Sequence, residues 1–233
     1  MKKYLIFFIF FLQCHTIYGQ DSILNKAGLY VINNVKIFLA SVKDHPEKRM
    51  VDLKTLAAEI HFDLRYATAN NFMNKKLYPS LSTTYLRLPA ALALKQIQNE
   101  LKEKGLGLKI FDAYRPYYVT VRMWEPIQDE RYVADPKKGS GHNRGTAVDL
   151  TVINLLSNNE LNMGTGYDNF TDTAHHGFTK LAPEILKNRL LLKSTMEKYG
   201  FKSLESEWWH YSLSNASNFE LLDLSFKQLK KLN

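Results

Sequence analysis

The chain has 233 residues, enough for one domain with, at most, a small appendage. Hydrophobic residues make up 45% and charged ones 23%, ordinary globular usage that excludes long disorder, a collagen-like repeat and a many-span membrane protein. The formal charge of +8 comes from basic residues spread along the sequence rather than clustered, so a nucleic-acid partner is not expected and the charge alone names none.

Lys2 and Lys3 followed by the apolar run from Tyr4 to Leu12 read as an export signal spanning residues 1–19, with Gly19 as the cleavage point before Gln20. That run is far shorter than the ~20 residues of a membrane-crossing helix, so no stable span is expected after cleavage. Loss of Lys2 and Lys3 leaves about +6 on the mature chain. The expected location is the periplasm. A rival reading has Cys14, the sole cysteine, lipidated after cleavage, but Gln13 is bulky for the position before such a cysteine. With Gly19 as the cut, the mature chain holds no cysteine and no disulfide, and any metal site must use His, Asp or Glu.

Residues 20–50 read as a weakly structured or helical lead-in, with the main domain over 51–233. Leu88-Pro89 opens a helix, since proline suits the first turn, where its missing N–H costs nothing. Leu94, Ile97 and Leu101 then recur at helical spacing, and Gly105 follows as the stop. Leu106 to Phe111 alternates as a strand and leads into Asp112-Ala113-Tyr114-Arg115-Pro116, with a second helix expected through Val121 and Trp124. Thr146 to Val152 is a compact β-rich run, a helix is expected over about Pro183 to Tyr199, and Trp208 to Ser212 reads as an aromatic strand. Together these predict an α+β fold: a single compact domain with a small antiparallel sheet flanked by helices, the candidate site lying on the sheet.

The chemistry concentrates in two stretches. In Ser140-Gly141-His142-Asn143-Arg144-Gly145-Thr146-Ala147-Val148-Asp149, the aspartate sits among apolar strand residues. Burying an ionised carboxylate costs several kcal/mol unless something compensates it. A turn at Asn143 and Gly145 would let His142 and Asp149 converge on a divalent cation; the other reading is a strand Asp paired with an arginine or capping a turn. In Glu205-Ser206-Glu207-Trp208-Trp209-His210-Tyr211, Glu207 and His210 lie three apart, which places them on one face of a helix but on opposite faces of a strand. If this is a strand, Glu207 must lie at its mouth or on a bend to reach a metal held by His210; the bland alternative is a core strand with a hydrogen-bonded histidine. Taken together, His142, Asp149 and His210 make three ligands, the number typical of a catalytic zinc site whose fourth position is left for water, and Glu207 is then the general base. The His175-His176 pair reads as structural or supporting, and Trp208 and Trp209 as a packed wall.

Ser-x-His-x-x-Gly-x-Ala-x-Asp followed by Glu-Trp-Trp-His resembles the zinc D-alanyl-D-alanine dipeptidases of the VanX type, within a wider group of zinc peptidoglycan peptidases. The resemblance runs from about Val51 to Tyr211 and takes in Asp63-Leu64-Arg65-Tyr66-Ala67-Thr68, Asp112 to Pro116, and Met163-Gly164-Thr165-Gly166-Tyr167-Asp168. It implies one zinc ion per chain on His142, Asp149 and His210, with Glu207 as catalytic base. It further implies that Arg115 stabilises the negative oxygen of the tetrahedral intermediate, that Asp168 with Tyr66 receives the substrate ammonium, and that Ser140 lies near its carboxylate. Read without it, these four are a structural arginine, a turn-capping Asp, a core Tyr and a loop-capping Ser. The expectation is an exported zinc dipeptidase acting on a small D,D-dipeptide in peptidoglycan turnover. The alternatives are a D,D-carboxypeptidase or endopeptidase on the same scaffold and a non-catalytic cell-wall binding module. Nothing in the sequence specifies an oligomeric state.

Overall fold

The computed structural model describes residues 24–25 and 28–233; the expected export signal, with Gly19 and Cys14, lies outside them. In chain order come β1 (Val31–Ile32), α1 (Val35–Asp44), β2 (Met50–Asp52), α2 (Leu53–Leu56), β3 (His61–Phe62), β4 (Tyr85–Arg87) and the long helix α3 (Leu88–Lys102). Next are β5 (Leu106–Asp112), α4 (Tyr117–Ile127), the single turn α5 (Gly141–Arg144) and β6 (Ala147–Asn154). The chain ends with α6 (Pro183–Lys198), β7 (Phe201–Leu204), β8 (Glu207–Leu213), β9 (Leu221–Leu222) and α7 (Phe226–Lys230).

Helix α3 forms where its sequence dictates. Pro89 sits in the first turn, Ala90, Leu94, Ile97 and Leu101 make a buried stripe, and Gly105 turns the chain at φ 71° just beyond the end. Burial of each of the larger side chains contributes roughly 1.5–3 kcal/mol. Gln98 on the same helix accepts a hydrogen bond from the Leu108 N–H at 2.8 Å, which fixes the helix against β5.

The principal sheet has the order β3-β5-β6-β8-β7. Its inner pairings are antiparallel, but the edge strand β3 runs parallel to β5, with His61 opposite Lys109 and Phe62 opposite Ile110. The sheet is therefore mixed at one edge rather than wholly antiparallel. An edge of two residues is too short to carry a period in the sequence. Helices α3 and α6 touch each other, α3 lying on β5 and α6 on β7 and β8. On β6 the alternating Val148, Leu150 and Val152 enter the main apolar core, which leaves Asp149 on the opposite face. Asp112, Asp149 and His210 are successive cross-strand partners, so three polar side chains stand in one row across β5, β6 and β8.

Residues 31–50 are joined to this body. Strand β1 pairs with β9, Phe38 is buried, and β2 pairs with β4. The fully buried Arg87 donates to the carbonyls of Arg144 (2.9 Å), Glu220 (3.1 Å) and Lys48, tying this lead-in, α5 and the C-terminal segment together. No helix among the described residues is long and apolar enough to cross a membrane.

Candidate active site

The turn α5 places His142. Ser140 caps it by accepting from the His142 N–H at 3.2 Å, while the Asn143 side chain accepts from the Ser140 N–H at 3.0 Å. Gly145 closes the turn at φ 69°, where a Cβ would also lie 2.7 Å from the Met50 methyl. The left-handed φ favours glycine there, and an added Cβ would also push the end of the Met50 side chain aside. The His142 ring is oriented by Nδ1, 2.7 Å from the Ala113 carbonyl. A carbonyl can only accept, so Nδ1 carries a hydrogen and Nε2 is the ring nitrogen turned to the cleft.

Three side chains bring possible ligand atoms together there. His142 Nε2 is 3.2 Å from His210 Nδ1 and 3.4 Å from Asp149 Oδ2, and His210 Nδ1 is 2.9 Å from Asp149 Oδ1. A tetrahedral ion with bonds of roughly 2.0–2.1 Å sets its ligand atoms about 3.3 Å apart. His142, Asp149 and His210, whose donor atoms all lie within 4.8 Å of one another, could therefore hold a metal ion with little movement. The electrostatics agree. Burial opposes the Asp149 charge, but His142 and His210 outweigh it and hold the carboxyl well below the usual range. Burial likewise opposes a charged His210, yet Asp149 and Glu207 raise it, so the cluster attracts positive charge. A bound cation would replace that proton.

Glu207 reaches this centre because β8 is irregular. Leu204 pairs with Glu207, but the preceding Ser203 pairs with Tyr211, so extra residues bulge on β8. The bulge breaks the alternation, leaving Trp208 and Trp209 buried in succession and both Glu207 and His210 lining the cleft. Glu207 Oε2 lies 3.9 Å from His210 Nδ1. Burial raises the Glu207 carboxyl to about 7, Asp149 adding to the rise and His210 and Arg115 opposing it.

Arg115 is tethered by Asp112, which accepts from Nε at 3.0 Å and Nη2 at 2.7 Å, and whose other oxygen accepts from Tyr78 at 2.9 Å. Its guanidinium lies over the Tyr66 ring, 5.2 Å from the centroid, with Nη2 4.0 Å from Asp149 Oδ2. Burial works against this charge, but Asp112 and the surrounding phenols hold it above its ordinary value. Asp168, at φ 57°, accepts from the Tyr66 hydroxyl at 3.1 and 3.2 Å. Burial pushes its carboxyl well up, and the charges of Asp149 and Glu207 add to the shift. Tyr66, Arg115, Ser140, His142, Asp149, Asp168, Glu207 and His210 all line one cleft of about 280 Å³. That is at the small end of ligand pockets, which run to roughly 300–1,000 Å³.

Three further participants carried no assigned role in the sequence. Asp112, the tether of Arg115, stands in the quoted Asp112–Pro116 segment. Tyr167, beside Asp168, points its hydroxyl at Asp149 Oδ2 (2.9 Å) and at the Tyr66 oxygen (3.1 Å). The buried Arg189 of α6 grips both ends of the loop that carries Asp168, donating to Met163 (2.7 Å), Thr173 (2.7 Å) and His175 (3.0 Å) carbonyls. Trp208 helps by donating to Thr165 Oγ1 at 2.8 Å, while Trp209 alone of the two tryptophans lines the cleft. Among the described residues the metal-competent cluster does not include His175 or His176. Burial lowers His176 to about 4.

The geometry has counterparts in known proteins. A family model described as D-ala-D-ala dipeptidase, of the M15 peptidases, matches residues 46–231. The chain belongs to this family. It is 36% identical over 173 residues to the D-alanyl-D-alanine dipeptidase of Escherichia coli (strain K12), a match covering 74% of this chain and 89% of that protein. The Enterococcus faecalis D-alanyl-D-alanine dipeptidase is 30% identical over 177 residues, covering 66% of this chain and 86% of its own length. The Streptomyces coelicolor protein of the same name is 32% identical over 177 residues, covering 68% and 88%. As a member of the M15 dipeptidases the chain is a metallopeptidase.

Proposed function

We propose that the chain hydrolyses D-alanyl-D-alanine, or a closely related D,D-dipeptide, with one zinc ion held by His142, Asp149 and His210. What supports this most is that the cation-attracting cluster and a half-buried carboxylate, Asp168, line the same small cleft with Glu207. A dipeptide has an ammonium at one end, a carboxylate at the other and a single peptide bond between them. Asp168, with Tyr66 donating to it, accepts the ammonium. Ser140 keeps its hydroxyl hydrogen while its oxygen caps α5, and so offers a donor to the substrate carboxylate. Zinc, when bound, supplies Lewis acidity toward the scissile carbonyl and makes water acidic enough to attack near neutral pH. Glu207 takes the proton from the attacking water and delivers it to the leaving amine. Arg115, held by Asp112, faces the oxygen on which negative charge develops. With the ammonium anchored, Asp168 measures the distance to the reacting bond, so longer peptides fit poorly.

The same reading makes residues 1–19 an export signal, 20–50 a lead-in and 51–233 the peptidase domain, acting in the periplasm on peptidoglycan-derived dipeptides. The test is to incubate the purified mature chain with D-Ala-D-Ala and measure released D-alanine with and without a chelator. Zinc-restorable release is expected. Cleavage of longer stem peptides with little release from the dipeptide would instead select the carboxypeptidase or endopeptidase reading, and no hydrolysis by zinc-loaded protein the binding module.

A further inference from the structure

The Tyr167 hydroxyl links residues from the two ends of the cleft. It is 2.9 Å from Asp149 Oδ2 on one side and 3.1 Å from the Tyr66 oxygen on the other, and Tyr66 in turn donates to Asp168. The ring cannot easily swing away. It stacks on Phe111 with centroids 4.8 Å apart and meets Trp209 edge-on at 5.5 Å. A residue needed only for packing would require the ring and not the oxygen, since phenylalanine fills nearly the same space. Here the oxygen reaches two polar partners. A phenol has a single proton to give, so Asp149 and Tyr66 compete for it, and the state of one is felt by the other.

We propose that the Tyr167 hydroxyl is a positioning group that fixes the Asp149 carboxylate and the Tyr66–Asp168 pair in one geometry, coupling metal binding at one end of the cleft to ammonium binding at the other. The inference rests on the dipeptidase reading above. Groups hydrogen-bonded to a metal-ligating carboxylate set its orientation and basicity, and their removal typically costs about 10–100-fold in metal affinity. The same hydroxyl, lost from beside Tyr66, removes one of the two partners that orient the Tyr66 hydroxyl toward Asp168. A coupling between two binding sites acts equally in both directions, so one substitution disturbs both.

Tyr167→Phe tests this in the full zinc-loaded chain, the retained ring keeping the stack on Phe111. Zinc affinity is read by competition with a chromophoric chelator, KM and kcat by D-alanine release, and folding by thermal melting. The expected result is a zinc Kd raised about tenfold or more and a KM for D-Ala-D-Ala raised by several-fold, with kcat changed much less. A folded Tyr167→Phe protein in which either zinc Kd or KM is unmoved overturns the coupling while leaving the dipeptidase reading intact. A wild-type chain that binds no zinc, or releases no D-alanine when loaded, overturns the dipeptidase reading and this inference with it.

Discussion

Replacing Asp168 with asparagine separates what this residue does for the substrate from what it does for the fold. The carboxylate is half-buried, and desolvation together with the charges of Asp149 and Glu207 pushes its pKa well up, so keeping it ionised costs folding free energy. The sign follows directly. A carboxyl whose folded pKa exceeds its unfolded value binds more protons when folded, so it favours the native state at low pH and counts against it as pH rises through the folded value. Asparagine carries no such charge and still accepts from Tyr66, so Asp168→Asn should melt no lower than wild type at pH 8 in metal-free protein. The substrate loses an ionic partner for its ammonium. Leaving one member of a buried charged pair without its counterpart costs roughly 2–5 kcal/mol. With the Tyr66 hydroxyl still present the lower end applies, and ~2–3 kcal/mol corresponds to about 30- to 200-fold in kcat/KM. Most of that should fall on KM, since the ammonium is bound alike in ground and transition states. The assay pairs D-alanine release with chelator-competed zinc titration. Equal loss of zinc affinity and dipeptide hydrolysis would refute the assignment, because Asp168 would then be holding the metal cluster rather than the substrate.

Other perturbations give equally specific outcomes. Glu207→Gln should lower kcat by about 100- to 10,000-fold, the range for loss of a general base, with zinc affinity and KM little changed; steady-state kinetics checks this. Because Glu207 is raised to about 7 in the metal-free cluster and must be ionised to act, kcat/KM should rise with pH along an acid limb. A bound dication favours the carboxylate and places that limb's midpoint at or below about 7 in the loaded enzyme, so a pH profile with no such limb removes Glu207 from the role. Gly145→Ala forces a side chain into a left-handed turn and against Met50, so it should lower stability by about 1–3 kcal/mol in denaturant unfolding. Chelation should lower the melting temperature and zinc should restore it, since a ligand that binds only the folded state stabilises it by mass action.

The sequence discloses those parts of the molecule whose signals are local. Helix α3 carries its own start, stripe and stop in Pro89, Leu94 to Leu101 and Gly105, and lies where that pattern puts it. The conformation of α5 is likewise written in Ser140, Asn143 and Gly145. Beyond that point, legibility fades where geometry depends on distant partners. Three-residue spacing would send Glu207 and His210 to opposite faces of a regular strand; only the bulge against β7 turns them to the same side. The two-residue strand β3 becomes a parallel edge because β5 is there to receive it. Asp112, Tyr167 and Arg189 have no composition that announces their roles, since each acts through a residue remote in the chain or in another element.

The grip of Arg189 on the Met163 and Thr173–His175 carbonyls divides the active-site wall into a frame and an insert. The frame is bolted to helix α6, while Tyr167 and Asp168 stand on the span between the bolts. The carbonyls that Arg189 holds lie at the two ends of the span, so the buried guanidinium fixes where the loop begins and ends and leaves its crest unclamped. On the proposed reading, peptide-length preference is written at Asp168 on that span, while Tyr167 beside it ties the span to Asp149. On this scaffold the ruler and the blade stand on separate elements that meet at one phenol.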